Sequence, residues 1–250
     1  MAQTGMLFLL AATFAGAAVQ AATGFGFAII AAPVFLAVIG DKSAIPILIA
    51  LHIVQCALLV PRVWRQAPLP HLGWLAAGAV IGCPIGLALL DRLPVPALKI
   101  ALGLVILIFA VLFIVRERLA RSVAVTMPNV AAAPLTTLAG FASGLLTSVF
   151  VMPGPPLMVY LARERWPRDI SRALSLTFFS GCYVAVLALA AISGQFLAAS
   201  VVAAIWLSPA VLLGTLAGMA VTARLSEAHY RTALLVLMLL SGVGAIASAL

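Results

Sequence analysis

The charged residues of this chain stand almost entirely in short gaps between apolar runs long enough to cross a bilayer. Of its 250 residues 65% are apolar and 8% charged, and the mean hydropathy is +1.27. Soluble domains carry about 25% charged residues, and a globule this apolar could not cover its surface with polar groups. Soluble, disordered, collagen-like and disulfide-framework classes are excluded. At about 20 apolar residues per spanning helix, the chain holds at most about a dozen spans. The expected fold is all-α, a polytopic helical protein whose first partner is the lipid bilayer.

Breaks at Gly, Pro and charge clusters give ten helices, over 5–22, 26–40, 44–62, 70–90, 95–115, 131–147, 149–163, 170–193, 197–222 and 230–249. The second and seventh are short for a 30 Å core. Each follows its predecessor almost without a linker, at Thr23-Gly24-Phe25 and at Thr147-Ser148, as an interrupted or re-entrant helix does. On this count eleven basic residues (Arg62, Arg65, Arg116, Arg118, Arg121, Arg163, Arg165, Arg168, Arg172, Arg224, Arg231) fall on one side. Lys42, Arg92 and Lys99 fall on the other. The positive-inside rule makes the first side cytoplasmic and puts both termini outside. The same dispersal argues against nucleic-acid binding despite the net charge of +8, because nucleic-acid sites cluster their basic residues. The first basic residue is Lys42, so the apolar N-terminus lacks the charged start of a cleaved signal peptide. Cys56, Cys83 and Cys182 lie far apart within apolar runs and read as packing residues.

An offset of 132 residues aligns Trp74 with Trp206, Gly82 with Gly214, Gly86 with Gly218, Arg92 with Arg224 and Lys99 with Arg231. Pro33 meets Pro156 at an offset of 123. The chain therefore divides into repeats at 1–122 and 123–250. Five helices per unit is an odd number, so the second unit enters the membrane from the opposite face. Inverted-topology repeats with interrupted helices in matching places are the architecture of many secondary transporters.

Ala22-Thr23-Gly24-Phe25-Gly26-Phe27 followed by Pro33 resembles the first half of the sulfite exporter TauE/SafE family. Pro153-Gly154-Pro155-Pro156-Leu157-Met158-Val159-Tyr160, with Arg172-Ala173 and Phe178-Phe179, resembles its second half. The resemblance implies a bacterial inner-membrane transporter of sulfite, a sulfonate or another small organic anion.

All six acidic residues lie at helix ends, and so do the basic ones. An anion must then be held by something other than a side-chain charge. Helix N-termini offer unpaired N–H groups and the positive end of the macrodipole. Short helices starting at Gly26 and Val149 would aim both N-termini at one central cavity. Thr23, Gly24, Phe25 and Gly26 would line one half, and Thr147, Ser148, Val149 and Phe150 the other. Against this stands a purely structural reading, in which the glycines permit a kink and close packing. Pro153, Gly154 and Pro155 keep the backbone irregular, and their carbonyls could line the path.

Polar residues within the spans form a second tier: Gln20, Ser143 at its repeat-equivalent position, and His52. His52 is a site or proton-carrier candidate, with a packed, hydrogen-bonded histidine as the plainer alternative. Gly78, Gly82, Gly86, Gly214 and Gly218 form small-residue ladders that pack helices within the protomer, a homodimer face being the alternative. Trp64, Trp74, Trp166, Tyr160, Tyr230 and Trp206 read as interfacial belts. No catalytic, metal or cofactor constellation stands out. The rivals to a transporter of a small anionic substrate are a passive anion channel and, behind it, a membrane-embedded enzyme or structural subunit.

Overall fold

A computed structural model describes residues 2–119, 133–164, 166–194, 198–222 and 227–249. It is all-helical: α1 Ala2–Thr23, α2 Phe27–Ile39, α3 Ala44–Val63, α4 Leu69–Arg92, α5 Val95–Leu119, α6 Ala133–Phe150, α7 Gly154–Glu164, α8 Arg168–Ile192, α9 Ala198–Thr222 and α10 Glu227–Ala247. Among the described residues seven of these (α1, α3, α4, α5, α6, α8, α9) are long and apolar enough to cross a membrane. α2 and α7 have 13 and 11 residues, about 20 and 16 Å at 1.5 Å per residue, and cannot span a 30 Å core.

Local chemistry sets the boundaries. Five consecutive helices, α3 to α7, carry proline within their first three residues (Pro46, Pro70, Pro96, Pro134, Pro155 with Pro156). There the missing N–H has no intrahelical partner to lose and the fixed φ suits a helix start. Gly40 closes α2 in the left-handed region and donates its N–H to Leu36 O, the glycine C-terminal stop.

Two long seams tie the halves together, α4 along α6 and α1 along α9. Glycines bring the backbones into contact. A Cβ on Gly82 would stand 2.1 Å from Phe141 O, and one on Gly140 2.1 Å from Leu75 O. In the other seam a Cβ on Gly214 or Gly218 would stand 2.3 Å from Phe14 O or 2.2 Å from Ala18 O. The glycine ladders are thus consumed inside the protomer, which removes them as a homodimer face. Replacing each helix by the one five places along turns α1·α9 into α6·α4 and α3·α9 into α8·α4, and leaves α3·α8 and α5·α10 unchanged; all six pairs are in contact. α2, α3 and α8 form the buried centre around Phe27, Phe35, Leu48, Phe179 and Tyr183. α4, α5, α9 and α10 turn large apolar side chains such as Val80, Ile108, Leu213 and Leu240 outward.

Trp64, Trp74 and Trp206 are exposed, as interfacial side chains would be, but Tyr160 and Trp166 are buried. Trp166 packs edge-on against His71 and Tyr160, and Thr136 Oγ1 bonds the Tyr160 hydroxyl at 3.1 Å. The cysteines are not isolated either: the thiols of Cys83 on α4 and Cys182 on α8 are neighbours. The 122/123 boundary, Arg121, Arg165 and Arg224 lie outside the described residues, as do the side chains of Arg116, Arg118, Arg163, Tyr230 and Arg231.

Candidate functional site

The last carbonyls of a helix need partners, and at the end of α1 those of Gln20 and Ala21 find them. Thr23 Oγ1 donates to Val19 O (2.8 Å), Gly24 N–H to Gln20 O (2.7 Å) and Arg172 Nη2, from α8, to Ala21 O (2.7 Å). The chain reverses through Gly24 at φ +90° and Gly26 at φ +109°, a region closed to most residues with a Cβ. α2 then restarts at Phe27, whose N–H donates to Gln20 Oε1 at 3.3 Å. α2 runs back along α1, with Phe27 against Gly16 and Val38 against Gly5. α1 continues seven residues beyond Gly16, about 10 Å. The restart is therefore sunk inside the helical layer, not at its edge.

The second break differs from expectation in place and character. α6 runs on through Thr147 and Ser148 to Phe150, and the break occupies Val151, Met152 and Pro153. Val151 N–H donates to Thr147 O (2.9 Å) and Met152 N–H to Leu146 O (3.2 Å), the first being the 5→1 bond of a left-handed helix ending. Val151 sits at φ +58°, the one non-glycine residue at positive φ among those described. A left-handed conformation costs an L-residue about 1–2 kcal/mol, and such strain is held at functional positions when the surroundings over-determine it. α7 starts at Gly154, and Pro155 and Pro156 have no N–H to offer. Its N-terminus is a poorer donor than that of α2. Gly24 and Val151 now correspond, at an offset of 127 residues, because both follow a helix end. In this register Thr147 falls opposite Gln20, where the offset of 123 puts Ser143.

Between the two breaks lies a cavity of about 20 Å³, room for about one water molecule. Gln20, Phe25, Gly26, Ala28, Ile29, His52, Val151, Met152, Pro153, Gly154, Pro155, Phe179 and Tyr183 line it. The offset of 127 pairs Phe25 with Met152, Gly26 with Pro153, Ala28 with Pro155 and His52 with Phe179, and all eight are in the lining. The breaks thus meet around one space. Of the residues singled out from sequence, Gln20, Phe25, Gly26, His52, Pro153, Gly154 and Pro155 surround it.

Thr23, Gly24, Ser143, Thr147 and Ser148 do not. Thr23 and Gly24 shape the first turn. Thr147 Oγ1 donates to Ser143 O (2.6 Å), and Ser148 Oγ donates across the seam to Cys83 O (2.8 Å). Ser143 Oγ is buried without a partner, apart from the cavity. Sequence reasoning missed Phe179 and Tyr183, which enter through the rotation of α8, and the strained Val151. It also missed the role of Arg172, counted among the cytoplasmic charges and quoted within a motif. Its signal was a cation one turn into α8, beyond the charges at the helix start.

No charged side chain lines the cavity. Its polarity comes from α1 and α3. Gln20 is 1% exposed and His52 fully buried. With its Oε1 held by Phe27 N–H, Gln20 turns Nε2 to a place without a protein partner. His52 Nδ1 meets Leu48 O at 2.7 Å, and its Nε2 is likewise unpartnered. Buried polar groups are rarely left so, and here two such nitrogens belong to residues that line one cavity. The rings of Phe27 and Tyr183 hold the imidazole at centroid distances of 4.3 and 4.5 Å.

A family model described as sulfite exporter TauE/SafE matches residues 8–245. No curated protein and no solved structure matches the chain.

Proposed function

Because the chain belongs to the sulfite exporter TauE/SafE family, a family of membrane transporters, we propose that it moves a small sulfur-containing or organic anion through the cavity between the two helix breaks. The observation that carries this reading is the convergence of both breaks on two orphaned buried nitrogens, Gln20 Nε2 and His52 Nε2. An oxyanion accepts from Gln20 Nε2, and the amino-terminal end of α2 adds a partial positive charge beside it.

In this reading 1–122 and 123–250 are inverted-topology repeats in a bacterial inner membrane, with both termini in the periplasm. The exchange pattern of the helix pairs and the paired cavity lining support that arrangement. The two glycine seams each join one helix of the first repeat to one of the second. Alternating access is then a rocking of these seams about the α3·α8 contact, opening the cavity first to one face and then to the other. The cavity as it stands is too small for a sulfite ion, so the breaks must part to admit one. That fits a carrier with an occluded state better than the rival, an open anion channel.

Purified protein in vesicles preloaded with unlabelled sulfite tests this. Labelled sulfite should accumulate transiently by counterflow, and uptake should saturate. Flux that is linear in concentration and shows no counterflow would establish the channel. Absence of any sulfite, sulfonate or short carboxylate flux would remove the anion reading.

A further inference from the structure

We propose that the cavity takes up one proton with each anion, held between His52 Nε2 and an oxygen of the anion. This rests on the reading of the cavity as the anion site, and names the ion coupled to it.

The argument starts from a hydrogen whose position is forced. Leu48 O can only accept, so the 2.7 Å contact places the imidazole hydrogen on Nδ1. In the neutral ring Nε2 then carries a lone pair, not a hydrogen. Packing between Phe27 and Tyr183 prevents the ring from flipping to exchange its nitrogens. An oxyanion brought to Nε2 would set lone pair against lone pair, and only a proton between them makes a bond. Gln20 behaves differently: its Nε2 has hydrogens of its own and can donate to a fully ionised anion. The two orphaned nitrogens thus do separate jobs, Gln20 holding the anion and His52 requiring the proton.

Charge points the same way. A bare anion taken out of water costs several kcal/mol unless neutralised, and no Lys or Arg lines the cavity. The ionisable groups near His52 are Tyr183 on α8 and Cys56, one turn along α3. α1, α2, α9 and the segment 151–155 contain no ionisable residue. Arg172, on α8, spends its Nη2 on Ala21 O at the first break and is absent from the cavity lining. A proton arriving with the anion lowers the buried charge by one. The balance is simple: one dianion and one proton enter from solvent, and the hydrogen-bonded monoanion pair occupies the site.

Titration calorimetry of the purified protein with sulfite decides it, at a pH where free sulfite is fully ionised. The heat is measured in two buffers of different ionisation enthalpy. One proton should be taken up per sulfite bound. His52→Gln should abolish that uptake and weaken binding at least tenfold. Gln20→Leu should weaken binding but still take up one proton. Heats independent of buffer in the unmodified protein would overturn the coupling while leaving the anion site intact. Continued uptake of one proton by His52→Gln would overturn the assignment to His52. Binding unaffected by either variant would mean the cavity is not the site, and both readings would fall.

Discussion

Replacing Gly82 by alanine adds one methyl group at a point where two helix backbones touch. The new Cβ would stand 2.1 Å from Phe141 O, whereas ordinary van der Waals contact starts at 3.4 Å. The α4·α6 seam must therefore widen by about 1.3 Å. No side chain can move aside, because the opposing atom is backbone, and Gly78, Gly86 and Gly140 pin the same seam at similar range. Overpacking typically costs 1–3 kcal/mol, and the rigidity of this contact puts the expected loss near the top, about 3 kcal/mol. For a chain of this length 1 kcal/mol moves the melting temperature by roughly 2–4 °C, so Gly82→Ala should melt about 6–12 °C lower in detergent. Gly218→Ala, facing Ala18 O at 2.2 Å across the α1·α9 seam, should lose a similar amount. The control is Gly181→Ala on α8, where a Cβ meets nothing within 4 Å; better helix propensity should raise its melting temperature slightly. If Gly82→Ala melts with Gly181→Ala, the backbone contact is wrong. If only one of Gly82 and Gly218 is sensitive, the two seams are not equivalents. Neither variant should alter which anion is preferred.

Gln20→Leu removes a donor to a charged guest, worth about 1.5–3 kcal/mol, and should raise the dissociation constant for sulfite roughly 10- to 150-fold by calorimetry. Ser148→Ala should leave that constant unchanged and lower the melting temperature by a few degrees, because its hydroxyl serves Cys83 O; a tenfold loss of affinity would return Ser148 to the site. A reporter fused after Leu250 should read as periplasmic and one near Arg118 as cytoplasmic, and a cytoplasmic C-terminus would sink the inverted repeat.

The ten helices were legible because their ends are written in residues whose backbone chemistry is local: Gly24, Gly26 and Gly40 at turns, and prolines at helix starts. The second break was placed too early because Thr147 and Ser148 look like a polar interruption. Inside α6 their hydroxyls are instead absorbed by Ser143 O and Cys83 O. The real signal was the proline cluster at 153–156, which marks a start and not the middle of an irregular stretch. Nothing in a valine announces a left-handed conformation, so Val151 was invisible, and with it the register of 127. Gln20 and His52 could be picked as polar residues in apolar helices. That both present an unpartnered nitrogen to one cavity depends on Phe27 N–H and Leu48 O, which only the fold brings to them. Phe179, Tyr183 and the Cys83–Cys182 contact depend on how α8 is rotated against its neighbours, information that apolar periodicity does not carry when most faces are apolar.

The central claim is that one anion sits between the two helix breaks. Crystals of the protein grown with selenite, a heavier analogue of sulfite, locate it directly through the anomalous scattering of selenium. A single peak is expected within hydrogen-bond reach of Gln20 Nε2 and His52 Nε2, with Val151 and Gly26 drawn apart around it. A selenium peak elsewhere, or none in crystals of a protein that carries selenite in vesicles, would contradict the account.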